Sequence, residues 1–146
     1  RIWRLEPSVL AQSDTAFSWL DDPVHRKWLT NEAIRQLKFF SGSLSPTGQF
    51  RSLNWDGSEI LGEPQELHAT ARLIHSYALG KQVGFVGSDA IILAGLHNLE
   101  KGHKDPTHGG YIWSFDDNGP CDTLKLAYGH VFVLLAGASA LQAGFE

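Results

Sequence analysis

From Glu66 to Ala78 the chain reads ELHATARLIHSYA, with Leu67, Ala71, Ile74 and Ala78 spaced along one side of a helix. His68, Arg72 and His75 follow at intervals of four and three and form a second stripe, roughly opposite. Pro64 suits a first turn and Gly80 is placed to end the helix in a left-handed conformation, which predicts a helix over about 64–79. Asp22-Pro23 reads as a cap followed by proline at the first helical position. Val24, Trp28, Ala33, Leu37 and Phe40 then mark an apolar stripe that runs to Gly42. Ser88 is placed to cap a third helix whose Ile92, Leu96 and Leu99 face one way before Gly102 closes it. The last segment, LKLAYGHVFVLLAGASALQAG, is apolar nearly all round and predicts a helix packed on several sides from about Leu124 to Ala143.

The stretches between these helices change period. Asp56-Gly57 separates FRSLNW from SEIL, and Asn118-Gly119 separates GGYIWSF from PCDTL, both with the residue types of tight hairpin turns. The order is therefore helix, hairpin, helix, helix, hairpin, helix, with an amphipathic helix preceding a more buried one each time. One architectural unit is used twice, without a repeat at the level of residues. Residues 1–13, with Trp3 and Pro7, carry no period and are expected to be a lead-in.

The polar stripe of the 64–79 helix changes the picture from fold to chemistry. A solvated face is ordinarily filled with Lys and Glu, whereas this one offers two imidazoles and a guanidinium. Two readings stand: Arg72 meets a structural carboxylate, or the stripe is a pocket wall that aims donors at an oxygen-rich ligand.

Composition narrows the partners. The 146 residues suit one domain segment with a real core, and a net charge of −4 without a basic run argues against nucleic acid or an anionic membrane surface. The longest nearly apolar run, Val131 to Leu141, falls short of the ~20 residues of a membrane helix, and no signal peptide opens the chain, so a soluble protein is expected. Cys121 is alone, which suits a reducing compartment and a cytoplasmic location. Seven histidines include His97, His103 and His108, but spacings of six and five match no common ligand motif, so no metal site is expected. Gly84 and Gly87 are too sparse for a phosphate loop. The chain has no Met and stops soon after a helix, which leads to the expectation that it is part of a longer protein.

Three stretches taken together, PTGQFRSLNWDG, ELHATARLIHSYALG and HGGYIWSFDDNGPCDTLKLAYGHVFVLLAGASAL, resemble the N-acylglucosamine 2-epimerase superfamily, and most of all its mannose isomerase and aldose–ketose isomerase branch. The joint occurrence of TAR-x-x-H, GG-aromatic and Y-x-H-x-F in this order carries the resemblance, which runs from about Trp19 onward. It implies an all-α fold, with residues 1–146 as the N-terminal part of an (α/α)6 barrel with short β-hairpins between its helices. On that pattern Arg72 reaches the sugar oxygens near the reacting carbons and is the catalytic residue of this segment. Tyr128 hydrogen-bonds the substrate, and His68 and His75 also line the pocket. His130, two residues on from Tyr128, is expected to point away as a core or interhelical residue. Phe50, Trp55, Tyr111 and Trp113 are read as packing.

The resemblance implies a sugar substrate and an aldose–ketose isomerisation, mannose-like to fructose-like, through a cis-enediolate, with no cofactor and no metal. The reaction needs a base of pKa near the working pH and donors aimed at the developing oxyanion. The resemblance assigns the base role to two histidines on later helices, which would lie beyond residue 146. An N-acylglucosamine or other sugar 2-epimerase is the alternative activity, and a non-catalytic sugar-binding module the alternative class. Four helices cannot close a ring, so these residues alone are expected to leave an apolar edge, to be inactive, and to associate as homo-oligomers or serve another purpose.

Overall fold

The structure, a computed structural model, describes residues 21–146, so the expected lead-in over 1–13 lies outside the described residues. Four helices carry the fold: α1 (Pro23–Phe40), α2 (Leu67–Gln82), α3 (Ser88–Asn98) and α4 (Ala127–Gln142). Asp22 caps α1, its carboxylate accepting from the Val24 amide at 3.0 Å, with proline following at the first helical position.

The apolar stripe of α2 is the centre of the core. Leu67, Ala71, Ile74 and Ala78 are all buried, as their spacing predicts, and Phe50, Tyr77, Ile91, Ile92, Ala136 and Ala140 close around them. α2 packs against α4 and α3 most extensively and against α1 to a lesser degree. None of the α1 residues is buried; Leu37 alone of its expected stripe packs on the core, while Val24 and Trp28 face solvent.

The two inter-helix passages are hairpins of different strength. The first is held by single bridges, Leu44 to Phe50 and Leu53 to Glu59, with Gly57 at positive φ in its turn. The second forms β2 (Ser114–Asp116) and β3 (Gly119–Asp122), with Asp116 opposite Gly119, so the turn residues are Asp117-Asn118, one position earlier than the sequence suggests. A short strand β1 (Gln65–Glu66) joins β2 antiparallel, pairing Gln65 with Phe115, in a sheet of order β1-β2-β3. The first passage is thereby stitched to the second at the N-terminus of α2, where the Leu67 amide donates to the Trp113 carbonyl at 2.7 Å.

Several boundaries differ from the sequence expectation. The α2 helix starts at Leu67 rather than Pro64, because Gln65 and Glu66 are recruited by the sheet. It runs past Gly80, which is helical; an added Cβ there would come within 3.0 Å of Leu37, so this glycine serves close packing, and the left-handed residue is Gly84. Ser88 is the first residue of α3, not its cap, and its hydroxyl donates to the Phe85 carbonyl. Beyond α3 the chain continues as a π turn, Leu99–His103, in which Gly102 lies directly under the Phe115 ring instead of terminating the helix. The expectation for α4 is also corrected: it buries Gly129, Ala136, Ser139 and Ala140 against its neighbours but leaves Val131, Leu134 and Leu141 well exposed, so it is covered on one side only.

Candidate functional site

The polar stripe of α2 faces a concavity of about 680 Å³, whose other walls are the first hairpin (Phe50 to Leu53) and the approach to β1 (Glu63 to Glu66). His68, Arg72 and Ser76 line it from the helix. Arg51, which the sequence reading passed over, enters from the hairpin and is anchored outside by Asp117 at 2.8 Å. This hollow therefore lies on the side of α2 that carries imidazole and guanidinium groups.

Among the described residues no carboxylate pairs with Arg72. Its Nη2 donates to the hydroxyl of Tyr128 at 2.8 Å, and its guanidinium carbon lies 4.6 Å from the centroid of the Phe132 ring. Both contacts come from the first turns of α4, so Arg72 on α2 and Tyr128 on α4 converge although 56 positions apart. The planar cation is held on a ring face and by one hydrogen bond, which leaves other N–H groups for a ligand. Tyr128 is 53% exposed and is not a buried phenol satisfied by backbone.

His68 stands one turn before Arg72. Its ring stacks on Trp113, with centroids 5.1 Å apart and planes at 10°, and lies 6.1 Å from the Tyr128 ring. Glu66 Oε2 is 3.3 Å from His68 Nδ1, yet the angle is poor and Nδ1 makes no hydrogen bond. The proximity is electrostatic support only when the imidazole is protonated. Trp113, read from the sequence as packing, is thus also the shelf that orients His68. His75 is placed deeper: its Nδ1 is 2.7 Å from the Ser139 hydroxyl. Because that hydroxyl donates to the Leu135 carbonyl at 2.8 Å, Nδ1 of His75 carries the proton and donates to it. His75 is therefore a second α2–α4 link.

The other expected residues separate. His103 is fully buried between Thr70 (3.0 Å) and the Ile112 carbonyl (3.1 Å), and burial drives its pKa down to about 4. It is a core imidazole held neutral. Gln65, buried, ties the same cluster to the first hairpin, donating to Thr70 and accepting from the Phe50 amide. His97 and His108 are exposed, and among the described residues no three His, Cys, Asp or Glu side chains are grouped so as to hold a metal ion. Cys121 is free and exposed. Trp55 stands in solvent at the first hairpin, whereas Phe50 is part of the core.

Residues 48–146 match the family described as N-acylglucosamine 2-epimerase (GlcNAc 2-epimerase), well over half the chain. The chain belongs to the N-acylglucosamine 2-epimerase family. Among curated relatives, D-mannose isomerase of Thermobifida fusca is 35% identical over 127 residues, covering 86% of this chain and 31% of the relative. D-mannose isomerase of Pseudomonas cannabina pv. alisalensis is 36% identical over 131 residues, covering 89% of this chain and 31% of the relative. A solved structure described as a crystal structure of D-mannose isomerase superposes with a TM-score of 0.72 at 24% identity, over 88% of this chain and 33% of its own. The chain thus spans about a third of the length of the relatives it matches. Its helix–hairpin–helix units are part of the (α/α)6 barrel of this family, with short β-strands between helices, as the sequence resemblance implies.

Proposed function

We propose that the complete protein is a sugar isomerase that interconverts a mannose-like aldose and a fructose-like ketose, and that this segment supplies part of the sugar cradle. The single observation that carries the reading is the 2.8 Å contact between the Arg72 guanidinium and the Tyr128 hydroxyl, made across two helices beside a polar concavity. Both are donors of the kind that stabilise negative charge on oxygen.

In the reaction, a base takes the proton from C2 of the open-chain aldose and the electron pair moves to the C1 carbonyl, giving a cis-enediolate. The proton returns to C1, the C2 hydroxyl proton passes to the C1 oxygen, and the C2 oxygen becomes the carbonyl. Charge develops on adjacent oxygens, and Arg72, with N–H groups in a fixed fork, is matched to such a pair. Tyr128 sets the rotamer of that fork and contributes its own hydroxyl. His68, on its Trp113 shelf, contacts sugar hydroxyls, and His75 holds α4 beside α2 through Ser139. Proton transfer in this scheme falls to bases outside these residues, and the scheme asks for no metal or cofactor.

The 2-epimerase reading, in which the proton returns to C2 from the other face, uses the same cradle and is favoured by the family description. Incubating the complete protein with mannose and following fructose separates the two. Fructose supports the isomerase; formation of N-acetylmannosamine from N-acetylglucosamine alone supports the epimerase; no turnover of any aldose defeats both.

A further inference from the structure

We propose that His130 is a positioning residue for this site, a clamp that holds the first turn of α4 against the Gly109-Gly110 loop and thereby sets the Tyr128 hydroxyl against Arg72. This rests on the reading given above for Arg72 and Tyr128.

Both ring nitrogens of His130 are committed. Nδ1 lies 2.8 Å from the carbonyl of Leu126, the residue that precedes α4, and Nε2 lies 3.0 Å from the amide of Tyr111. A carbonyl can only accept and an amide N–H can only donate, so the proton sits on Nδ1 and Nε2 offers its lone pair. One ring thus fastens the start of α4 to a segment 19 positions earlier in the chain.

The loop is built to receive the ring. Gly110 has φ of 72°, and a Cβ on it would stand 3.0 Å from Nε2, so a larger residue would be strained in backbone and crowded by the imidazole. The Tyr111 ring meets His130 edge-on at 5.8 Å. Asp105 closes the loop by accepting from the Thr107 and His108 amides, and Lys125 reaches it from the residues before α4 at 2.7 Å.

What the clamp positions follows from the chain on each side. Two residues before His130 is Tyr128, which accepts from Arg72; two residues after is Phe132, which carries the guanidinium on its face. Two residues after Tyr111 is Trp113, which stacks under His68. Lost registration between Tyr111 and Leu126 would therefore displace the supports of Arg72 and of His68 together. The GG-aromatic and Y-x-H-x-F stretches, separate in the sequence, are two halves of one device.

The test uses the complete protein with mannose as the probe. His130→Phe keeps the ring shape and removes both hydrogen bonds, whereas His130→Gln keeps a donor and an acceptor. His130→Phe is expected to lower kcat by about tenfold to a hundredfold with a smaller change in KM, as for a misplaced rather than a missing group. His130→Gln is expected to recover most of that loss. In a Tyr128→Phe background the same His130→Phe change is expected to cost much less, because the group being positioned is already gone. Crystal structures of the two His130 variants supply the readout that does not depend on activity: the Arg72 to Tyr128 separation exceeds hydrogen-bond range with Phe and returns with Gln. Equal losses from His130→Phe with and without the Tyr128 hydroxyl, or an unchanged Arg72–Tyr128 contact in the Phe variant, would overturn the proposal. A wild-type protein that turns over no aldose would remove the isomerase reading, and the two crystal structures would still decide the clamp.

Discussion

At Arg72 two constraints meet that a surface arginine does not have, a phenol hydroxyl and an aromatic face, while the residue itself remains exposed. Removing it leaves no cavity, so Arg72→Ala should reduce turnover by about a hundredfold or more, the range for a lost oxyanion donor, with little change in folding stability. Steady-state kinetics beside a melting curve checks this, and unchanged turnover would take Arg72 out of the site. His103 behaves oppositely. Its folded pKa, lowered to about 4 by burial, lies below the ordinary 6.5, so between those values the unfolded chain binds the proton and the folded chain does not. Stability from this group is complete above pH 6.5 and is lost as pH falls toward 4, by about 3 kcal/mol in total. Denaturant unfolding from pH 7 to pH 4 should show the decline, and His103→Gln should flatten it. The stripe His68, Arg72 and His75 was legible as a stripe because helical spacing is local. The buried place of His103 was not, since nothing within a turn of it predicts Thr70.

Among the elements, α2 and α3 pack at a distance set by glycine. At Gly95 an added Cβ would overlap the Ile74 side chain, with Phe50 only 3.4 Å away. A Gly→Ala change at an open helical site gains about 1 kcal/mol in helix propensity, while overpacking a core costs about 1–3 kcal/mol. The second term wins here because Ile74 is fully buried and cannot move aside. Gly95→Ala should therefore lower the unfolding free energy, measured by urea titration, and a stabilised variant would show that the helices separate readily. Helix existence was readable from apolar period and the Asp22-Pro23 cap, since these depend on neighbours three or four residues away. The start of α2 was not, because Gln65 and Glu66 follow the demand of β2, whose paired residues Phe115 and Ser114 lie 50 and 48 positions downstream.

For the molecule as a whole, the exposed side of α4 is the dominant feature. Leu134 is 75% exposed and Val131 and Leu141 63% each, an apolar surface larger than isolated exposed leucines produce. Among the described residues no helix is long and apolar enough to cross a membrane. The 146-residue chain prepared alone should self-associate and bind a hydrophobic dye, and Val131→Glu with Leu134→Glu should shift it toward monomer in light scattering. A monodisperse monomer with no dye binding would contradict this.

Periodicity and turn chemistry, which act within a few residues, were enough to draw four helices, two hairpins, the buried stripe of α2 and the polar stripe whose His68 and Arg72 line the concavity. Placement across the chain had to come from packing. Gly80 stays inside α2 because Leu37 presses on it, Trp113 becomes the shelf for His68, and Arg72 finds Tyr128 because α4 docks beside α2. Each of these depends on which surfaces exclude water together, a property of the folded chain that no short window of residues contains.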